Sequence, residues 1–382
     1  MATREIRFGI IGCGLMGREF ASGAARWCHL LDLDVEPRIV AVCSRTAASM
    51  EWFERNVPTV RLATTDYREL LDDPDVEAVY CAVPHDLHEQ MYVDTIRAGK
   101  HLFGEKPFGI DIEANTAILE AIRQNPTALV RCSSQFPFFP GAYLIARWLR
   151  EERFGHIIEV EAGLWHSSDL NPQKPINWKR RVETNGEYGC MGDLGLHVLH
   201  IPLRCGWKPK TVRALLSKIV KERPDQDGQM VLCDTWDNAI LACEVEAEAQ
   251  EFPMLLSTKR IAPGHANTWF IRVLGTAFSA AFTTQNPKQV ASLPYTPGGE
   301  QAWRVADVPH KSAYRTITGS IFEFGLSDAI LQMFAAFCDE LANGPDMQQP
   351  FHCATPEETA QSHEVFTAAL KSQHTGQAIS LG

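Results

Sequence analysis

The chain has no excess of positive charge, no cysteine pairs at metal-binding spacing, no long apolar run and no repeated or low-complexity tract. Lys and Arg number 36 against 47 Asp and Glu, a formal net charge of −11. Non-specific nucleic-acid binding needs a basic face toward the phosphates, so that class is set aside. No stretch approaches the uninterrupted apolar length that crosses a bilayer. The opening residues, Met-Ala-Thr-Arg-Glu-Ile-Arg, lack an apolar core, which argues against a secretory signal. The 11 cysteines are an odd number without C-x-x-C pairs, a poor match to a disulfide framework or a structural zinc site. Cys13, Cys43 and Cys81 lie in apolar runs, where a thiol behaves as a small hydrophobe. The expected compartment is reducing cytoplasm.

What is present begins with a glycine turn. Residues 7–11 read as a short apolar strand, Gly12, Gly14 and Gly17 follow with the spacing G-x-G-x-x-G, and the next residues look helical. That order is the context in which the dinucleotide fingerprint has meaning. Gly12 permits the tight turn, Gly14 lets backbone approach a pyrophosphate, and the helix N-terminus beyond, with Leu15 and Met16, offers free N–H groups to it.

A chain of 382 residues, 45% hydrophobic, is expected to form two domains, here 1–134 and 135–382. In the first, strand-like stretches at 6–11, 38–43, 78–82, 101–103 and 128–133 alternate with helix-like ones at 14–27, 46–55, 66–71, 87–98 and 112–125, with Asp111 as an N-cap. Repeated βα units imply an α/β, doubly wound parallel sheet of Rossmann type, with ligands at the C-terminal ends of the strands. Beyond an aromatic, proline-rich link at 136–141, a helix at 142–153 leads to strands at 156–165, 211–220, 239–248, 269–274 and 277–283. That pattern implies an α+β domain with an open, mainly antiparallel sheet, closed by helices at 326–341 and 356–372. Residues 287–300 read as a surface loop.

Four stretches carry candidate chemistry. Ser44 and Arg45 end the second strand where a carboxylate would bind the adenosine ribose. A hydroxyl and a cation suit a 2′-phosphate, but a polar strand end in solvent reads equally well, so NAD or NADP stays open. Pro84, His85 and His88 form a loop across the cofactor edge, with His88 in a supporting role. Glu105 and Lys106 follow the strand at 101–103, where a lysine beside a nicotinamide can bond a substrate hydroxyl or act as a base. Lys106 precedes a proline, a setting for a cis peptide. Asp193 and His197 stand four apart and face one way on a helix, so the aspartate can orient a histidine that exchanges protons. A buried, satisfied histidine reads the same way, and no further ligands at suitable spacing support a metal site. Finally, the basic run of 174–181 places Trp178, Lys179 and Arg180 upstream, where an aromatic face and cationic forks suit an anionic sugar; a solvated basic loop is the plain alternative.

The combination of FGIIGCGLMG at 8–17, the Pro84–His88 loop, GEKP at 104–107 and GDLGLH at 192–197 resembles the Gfo/Idh/MocA family of nicotinamide-dependent sugar oxidoreductases, and the resemblance runs through 355–381. It implies a Rossmann domain followed by an open antiparallel α/β domain, with a carbohydrate site between them and Lys106, Asp193 and His197 as the catalytic group. It also implies a homodimer or homotetramer associating through the open sheet. The chain departs from the pattern at His200, where the family has an aspartate, and at Pro137, where a basic residue is common. His200 and the extra basic run at 174–181 motivate an alternative within the family, an NAD-dependent glycosidase working by transient oxidation, elimination, water addition and re-reduction. A non-catalytic sugar sensor on the same fold is a third reading, opposed by the presence of all three catalytic residues.

Overall fold

The computed structural model describes residues 3–247, 250–319, 321–349 and 351–382. Its first sheet contains Arg4–Ile11 (β1), Val35–Cys43 (β2), Leu62–Thr64 (β3), Ala78–Cys81 (β4), His101–Gly104 (β5) and Val130–Cys132 (β6), in the order β3-β2-β1-β4-β5-β6. Every pairing is parallel. The crossovers are Leu15–Ala25 (α1), Ala47–Asn56 (α2), Tyr67–Asp72 (α3), His88–Arg97 (α4) and Ile112–Gln124 (α5). This is the doubly wound arrangement expected from the sequence. The central strands are apolar on both faces because helices cover both. Asp111 caps α5 by accepting from the Ala114 N–H at 2.8 Å.

The second part adds Pro140–Arg150 (α6), Val182–Asn185 (α7) and Cys190–Arg204 (α8). Its nine-stranded sheet comprises Ile157–Trp165 (β7), Pro209–Ser217 (β8), Asn238–Ala247 (β11), Gln250–Lys259 (β12), Thr268–Gly275 (β13), Phe278–Thr283 (β14), Gln289–Pro294 (β15), Arg304–Asp307 (β16) and Ile379–Ser380 (β17). A separate hairpin pairs Glu222–Pro224 (β9) with Met230–Leu232 (β10). The large sheet is antiparallel except where β7 and β12 run together. Residues 289–294, expected to be loop, form an edge strand instead: Val290 is buried against β14 and overrides the turn-forming composition around it.

One face of the large sheet alternates buried residues that pack under α6, α8 and Pro356–Thr375 (α10). The other leaves Leu215, Ile240 and Leu255 exposed. Leu326–Asn343 (α9) returns to the first sheet. Phe334 packs tilted against Phe20 with ring centroids 4.0 Å apart and meets Phe8 at 5.2 Å, and Phe337 meets Phe103 at 4.7 Å. These rings fasten α9 to the first sheet, and buried residues of both sheets belong to one continuous apolar core. Among the described residues, no helix is long and apolar enough to cross a membrane.

Candidate active site

The turn from β1 into α1 is shaped by what its glycines exclude. Gly12 has φ +105°, and a Cβ there would clash with the Ala82 carbonyl oxygen. A Cβ on Gly17 would collide with the Gly12 carbonyl oxygen, so strand and helix pack as closely as backbone allows. At Gly14 an added Cβ meets nothing within 4 Å. That position faces open space, and no side chain caps the first amides of α1. An uncapped helix start beside open space fits a pyrophosphate. Gly12→Ala is expected to strain the turn by about 2 kcal/mol and to weaken dinucleotide binding by roughly tenfold or more. Nucleotide titration together with a thermal melt checks both effects.

From this turn a cleft of about 890 Å³ runs between the two sheets. Gly12, Gly14, Leu15, Met16, Ser44, Arg45, Pro84, His85 and Glu105 line the part over the first sheet. Lys106, Trp178, Lys179, Asp193 and His197 line the part against the second. The parallel strands deliver the first set at their C-terminal ends. In the second set Lys106 follows β5, and the others come from α8 and from the segment before α7.

Asp193 is the hub. It lies in the first turn of α8 with its side chain 1% exposed. Oδ1 accepts from Lys106 Nζ at 2.8 Å and from Lys179 Nζ at 2.7 Å, and Oδ2 accepts from Arg260. Burial pushes this carboxyl up, but the three cations overcome it and hold the group well below the usual carboxylate range. Arg260 is anchored in turn by Asp169, whose Oδ2 accepts from Nε at 2.8 Å. Burial lowers the Lys179 ammonium to about 8; Asp193 opposes that shift, while Lys106 and Arg260 add to it. Lys106 is joined to Pro107 by a cis peptide.

His197 does not take its orientation from Asp193, as the spacing on α8 had suggested. Its Nδ1 lies 3.1 Å from the Ser134 hydroxyl, while the carboxylate is committed to three cations that bind it more strongly than a neutral ring can. Burial, then the Lys106 charge, holds His197 well below the ordinary imidazole range, so the ring is neutral at pH 7. His85 also lines the cleft. Its Nδ1 donates to the Asn185 carbonyl at 3.0 Å, and Trp178 packs against its ring at 4.9 Å. Glu105 Oε1 accepts from the Tyr80 hydroxyl at 2.7 Å.

Two residues expected in the site do not reach it. His88 is fully buried: Nε2 donates to the Val83 carbonyl at 3.1 Å, Nδ1 accepts from the Gly109 N–H, and the ring stacks on Tyr92. It braces the Pro84 loop from beneath. Arg180 is also fully buried, donating to the Val220 carbonyl at 2.9 Å and to Asp237 at 3.1 Å. It anchors the basic run rather than facing a ligand. His200 turns away from the cleft as well, its Nε2 2.9 Å from Arg204 Nη2 and its ring stacked toward Phe351. Of the two features that motivated the glycosidase alternative, His200 therefore lies outside the site, while the basic run places Trp178 and Lys179 in the cleft. Pro137 is buried, and its neighbours Gln135 and Phe136 line the wall instead.

The structure adds Arg260, Ser134 and His166 to the constellation. Arg260 and His166 line the cleft, and Ser134 reaches it through His197. They follow β12, β6 and β7 with no motif around them, so only the strand ends could have pointed to them. Among the described residues, no group of three or more metal-binding side chains is placed to hold an ion.

Comparison with known proteins agrees with this geometry. Residues 6–131 match the Gfo/Idh/MocA model, an oxidoreductase family with an NAD-binding Rossmann fold. Levoglucosan dehydrogenase of Pseudarthrobacter phenanthrenivorans is 25% identical over 237 residues, 59% of this chain and 57% of that protein. The chain thus matches less than two thirds of that relative's length. An oxidoreductase domain protein from Kribbella flavida superimposes with TM-score 0.89 at 20% identity, covering 100% of both chains. A levoglucosan dehydrogenase solved with NADH and levoglucosan superimposes with TM-score 0.87 at 20% identity, covering 99% of this chain and 100% of that one. At such identities the two superpositions establish the fold.

Proposed function

We propose, from the premise that residues 6–131 belong to the NAD-binding Rossmann oxidoreductases of the Gfo/Idh/MocA family, that this protein oxidises or reduces a hydroxyl-bearing carbon of a sugar or sugar derivative. The observation that carries the proposal is the convergence of Lys106, Lys179, Asp193 and His197 in the same cleft as the glycine turn. The dinucleotide supplies the two-electron acceptor or donor when bound; Gly12, Gly14, Leu15 and Met16 would hold its pyrophosphate. Everything else falls to the chain. Lys106 and Lys179, sharing Asp193 Oδ1, present two Nζ groups to a substrate hydroxyl. With an ammonium lowered to about 8, Lys179 can pass through its neutral form near physiological pH and hold the hydroxyl proton. His197, neutral and fixed through Nδ1, offers its other ring nitrogen to the same oxygen.

Three cations, Lys106, Lys179 and Arg260, face two carboxylates, Asp193 and Asp169, at the cleft floor. This surplus of positive charge supports a substrate that carries a carboxylate or another anion. The levoglucosan dehydrogenase relative acts, by its name, on levoglucosan, which supports the carbohydrate class. The exposed apolar face of the large sheet supports association into a homodimer or homotetramer. With all 11 cysteines free, the protein suits a reducing cytoplasm.

The test offers purified protein with each dinucleotide a panel of free sugars, uronates, aldonates and aryl glycosides, following reduced nicotinamide and released aglycone together. Net nicotinamide reduction with a free sugar or sugar acid is expected. Aglycone release without accumulating reduced nicotinamide would replace this reading with the glycosidase one, and tight sugar binding without turnover would leave a sensor. Lys106→Ala is expected to lower turnover about 100-fold while leaving dinucleotide affinity within about twofold. Retained turnover would remove Lys106 from the catalytic group.

A further inference from the structure

The end of the cleft remote from Lys106 has a chemistry of its own. Where β2 stops at Cys43, the wall continues through Ser44, Arg45, Thr46 and Ser49, with Thr65 and Tyr67 also in the lining. Their polar side-chain groups are hydroxyls and one guanidinium. Among the described residues, the carboxylates lining the cleft are Glu105 and Asp193. Both belong to the opposite end, and both already accept hydrogen bonds, from Tyr80 and from the three cations.

A dinucleotide with a free 2′-hydroxyl is recognised at the end of the second strand by a carboxylate that accepts from that hydroxyl. Among the described residues, no such acceptor lines the wall here. The Thr46 and Ser49 hydroxyls are hydrogen-bonded to each other at 2.8 Å, which holds them side by side and leaves one hydroxyl proton to donate outward. Thr46 opens α2 without its side chain closing on the helix, which leaves the first-turn amides of α2 at the same place. Arg45 is exposed, and no hydrogen bond or ion pair among the described residues ties up its guanidinium. Asp86, the acidic group that feels its charge, does not line the cleft.

We infer that Ser44, Arg45, Thr46 and Ser49 form a 2′-phosphate subsite, so that the protein selects the phosphorylated dinucleotide, NADP(H), over NAD(H). The inference rests on reading the cleft as a dinucleotide site. It goes further by assigning the ligand from a guanidinium and a set of hydroxyls where a carboxylate would favour the unphosphorylated form. A phosphate dianion gains charge-assisted hydrogen bonds from all of these groups, whereas a neutral 2′-hydroxyl finds no strong acceptor.

The experiment measures equilibrium binding of NADPH and NADH to the full-length protein by calorimetry and nucleotide fluorescence, at low and at moderate salt. NADPH is expected to bind at least about tenfold more tightly, with the margin narrowing as salt rises. In Arg45→Ala the two affinities should come within about threefold, through loss of NADPH affinity alone. Adenosine 2′,5′-bisphosphate should compete better than 5′-AMP with the native protein, and equally with it in the variant. NADH binding as tightly as NADPH, or an affinity ratio unmoved in Arg45→Ala, would overturn the subsite and leave the oxidoreductase reading intact. Binding of neither dinucleotide would overturn both.

Discussion

Replacing Asp193 with asparagine is expected to lower turnover by about 10³-fold and to destabilise the protein by about 3 kcal/mol, while NADPH or NADH still binds. The substitution keeps the shape of the side chain and removes only its charge. Lys106, Lys179 and Arg260 would then surround a neutral amide in a site where their own side chains are 14%, 29% and 8% exposed. Arg260 keeps Asp169, but the two lysines lose the carboxylate they share. Uncompensated charge at that depth is what makes breaking a buried ion pair expensive. The catalytic loss follows from geometry, because the carboxylate fixes both Nζ groups relative to His197. A pH–rate profile separates this role from mere support of the fold. Asp193 holds the Lys179 ammonium up, and Lys179 must be neutral to take the hydroxyl proton, so any residual sugar-oxidising activity of Asp193→Asn should have its acidic limb at lower pH than that of the native protein. Unfolding in denaturant measures the stability change. A variant with native midpoint and native turnover would show that the three cations do not depend on this carboxylate.

The hub also shows where the sequence stops being informative. Contiguous motifs were legible: the glycine turn, the lysine after β5, and the Asp193–His197 spacing that puts both on one face of α8. The partner of Asp193 was not. Spacing four apart suggests an internal aspartate–histidine pair, yet three charges from distant segments outcompete a neutral ring for the same oxygens. Arg260 stands 67 residues from Asp193 in the chain and reaches it only because β12 runs parallel to β7. β12 itself was hidden by Pro253, which breaks the reading of a strand although Phe252, Met254 and Leu256 alternate inward around it. β3 spans three residues, too short to display a period. In the basic run 174–181, composition alone could not separate Lys179, which lines the cleft, from Arg180, which turns inward to Asp237. Burial of an unpaired guanidinium requires a carboxylate, and the one available comes from the residue just before β11.

Acidification should unfold this protein early, with stability falling steeply as the pH drops from about 6.5 toward 5. His85, His88, His197, His200 and His363 are all at most 4% exposed. Burial, reinforced for most of them by nearby cations or other histidines, depresses every one, to about 3 for His88 and His200 and about 4 for His363. Their surroundings are mixed: Lys106 and Asp193 act on His85 and His197, Arg204 and Glu358 on His200, and Asp111 on His363. Burial outweighs these charges in each case. The sign follows from the direction of the shifts. Above the unfolded imidazole value, near 6.5, neither state binds these protons and the stabilisation is complete. Below it the unfolded chain takes up protons that the folded chain refuses, until the pH reaches the folded values. Each such histidine withdraws about 1.4 kcal/mol per pH unit in that window. Several acting together are comparable with the whole margin of a domain, about 5–15 kcal/mol. The carboxylates of Asp169, Asp193 and Glu358 are shifted the opposite way for their class, below their ordinary values, so their stabilisation is lost only at lower pH, as they protonate in turn. Denaturant unfolding at half-unit steps from pH 8 to 5 tests the prediction, and the slope gives the number of protons taken up. His363→Gln keeps a side chain that can bond the Pro107 carbonyl and should reduce that slope by one proton, whereas a native stability flat from pH 7 to 5 would mean that the folded protein protonates these rings in place.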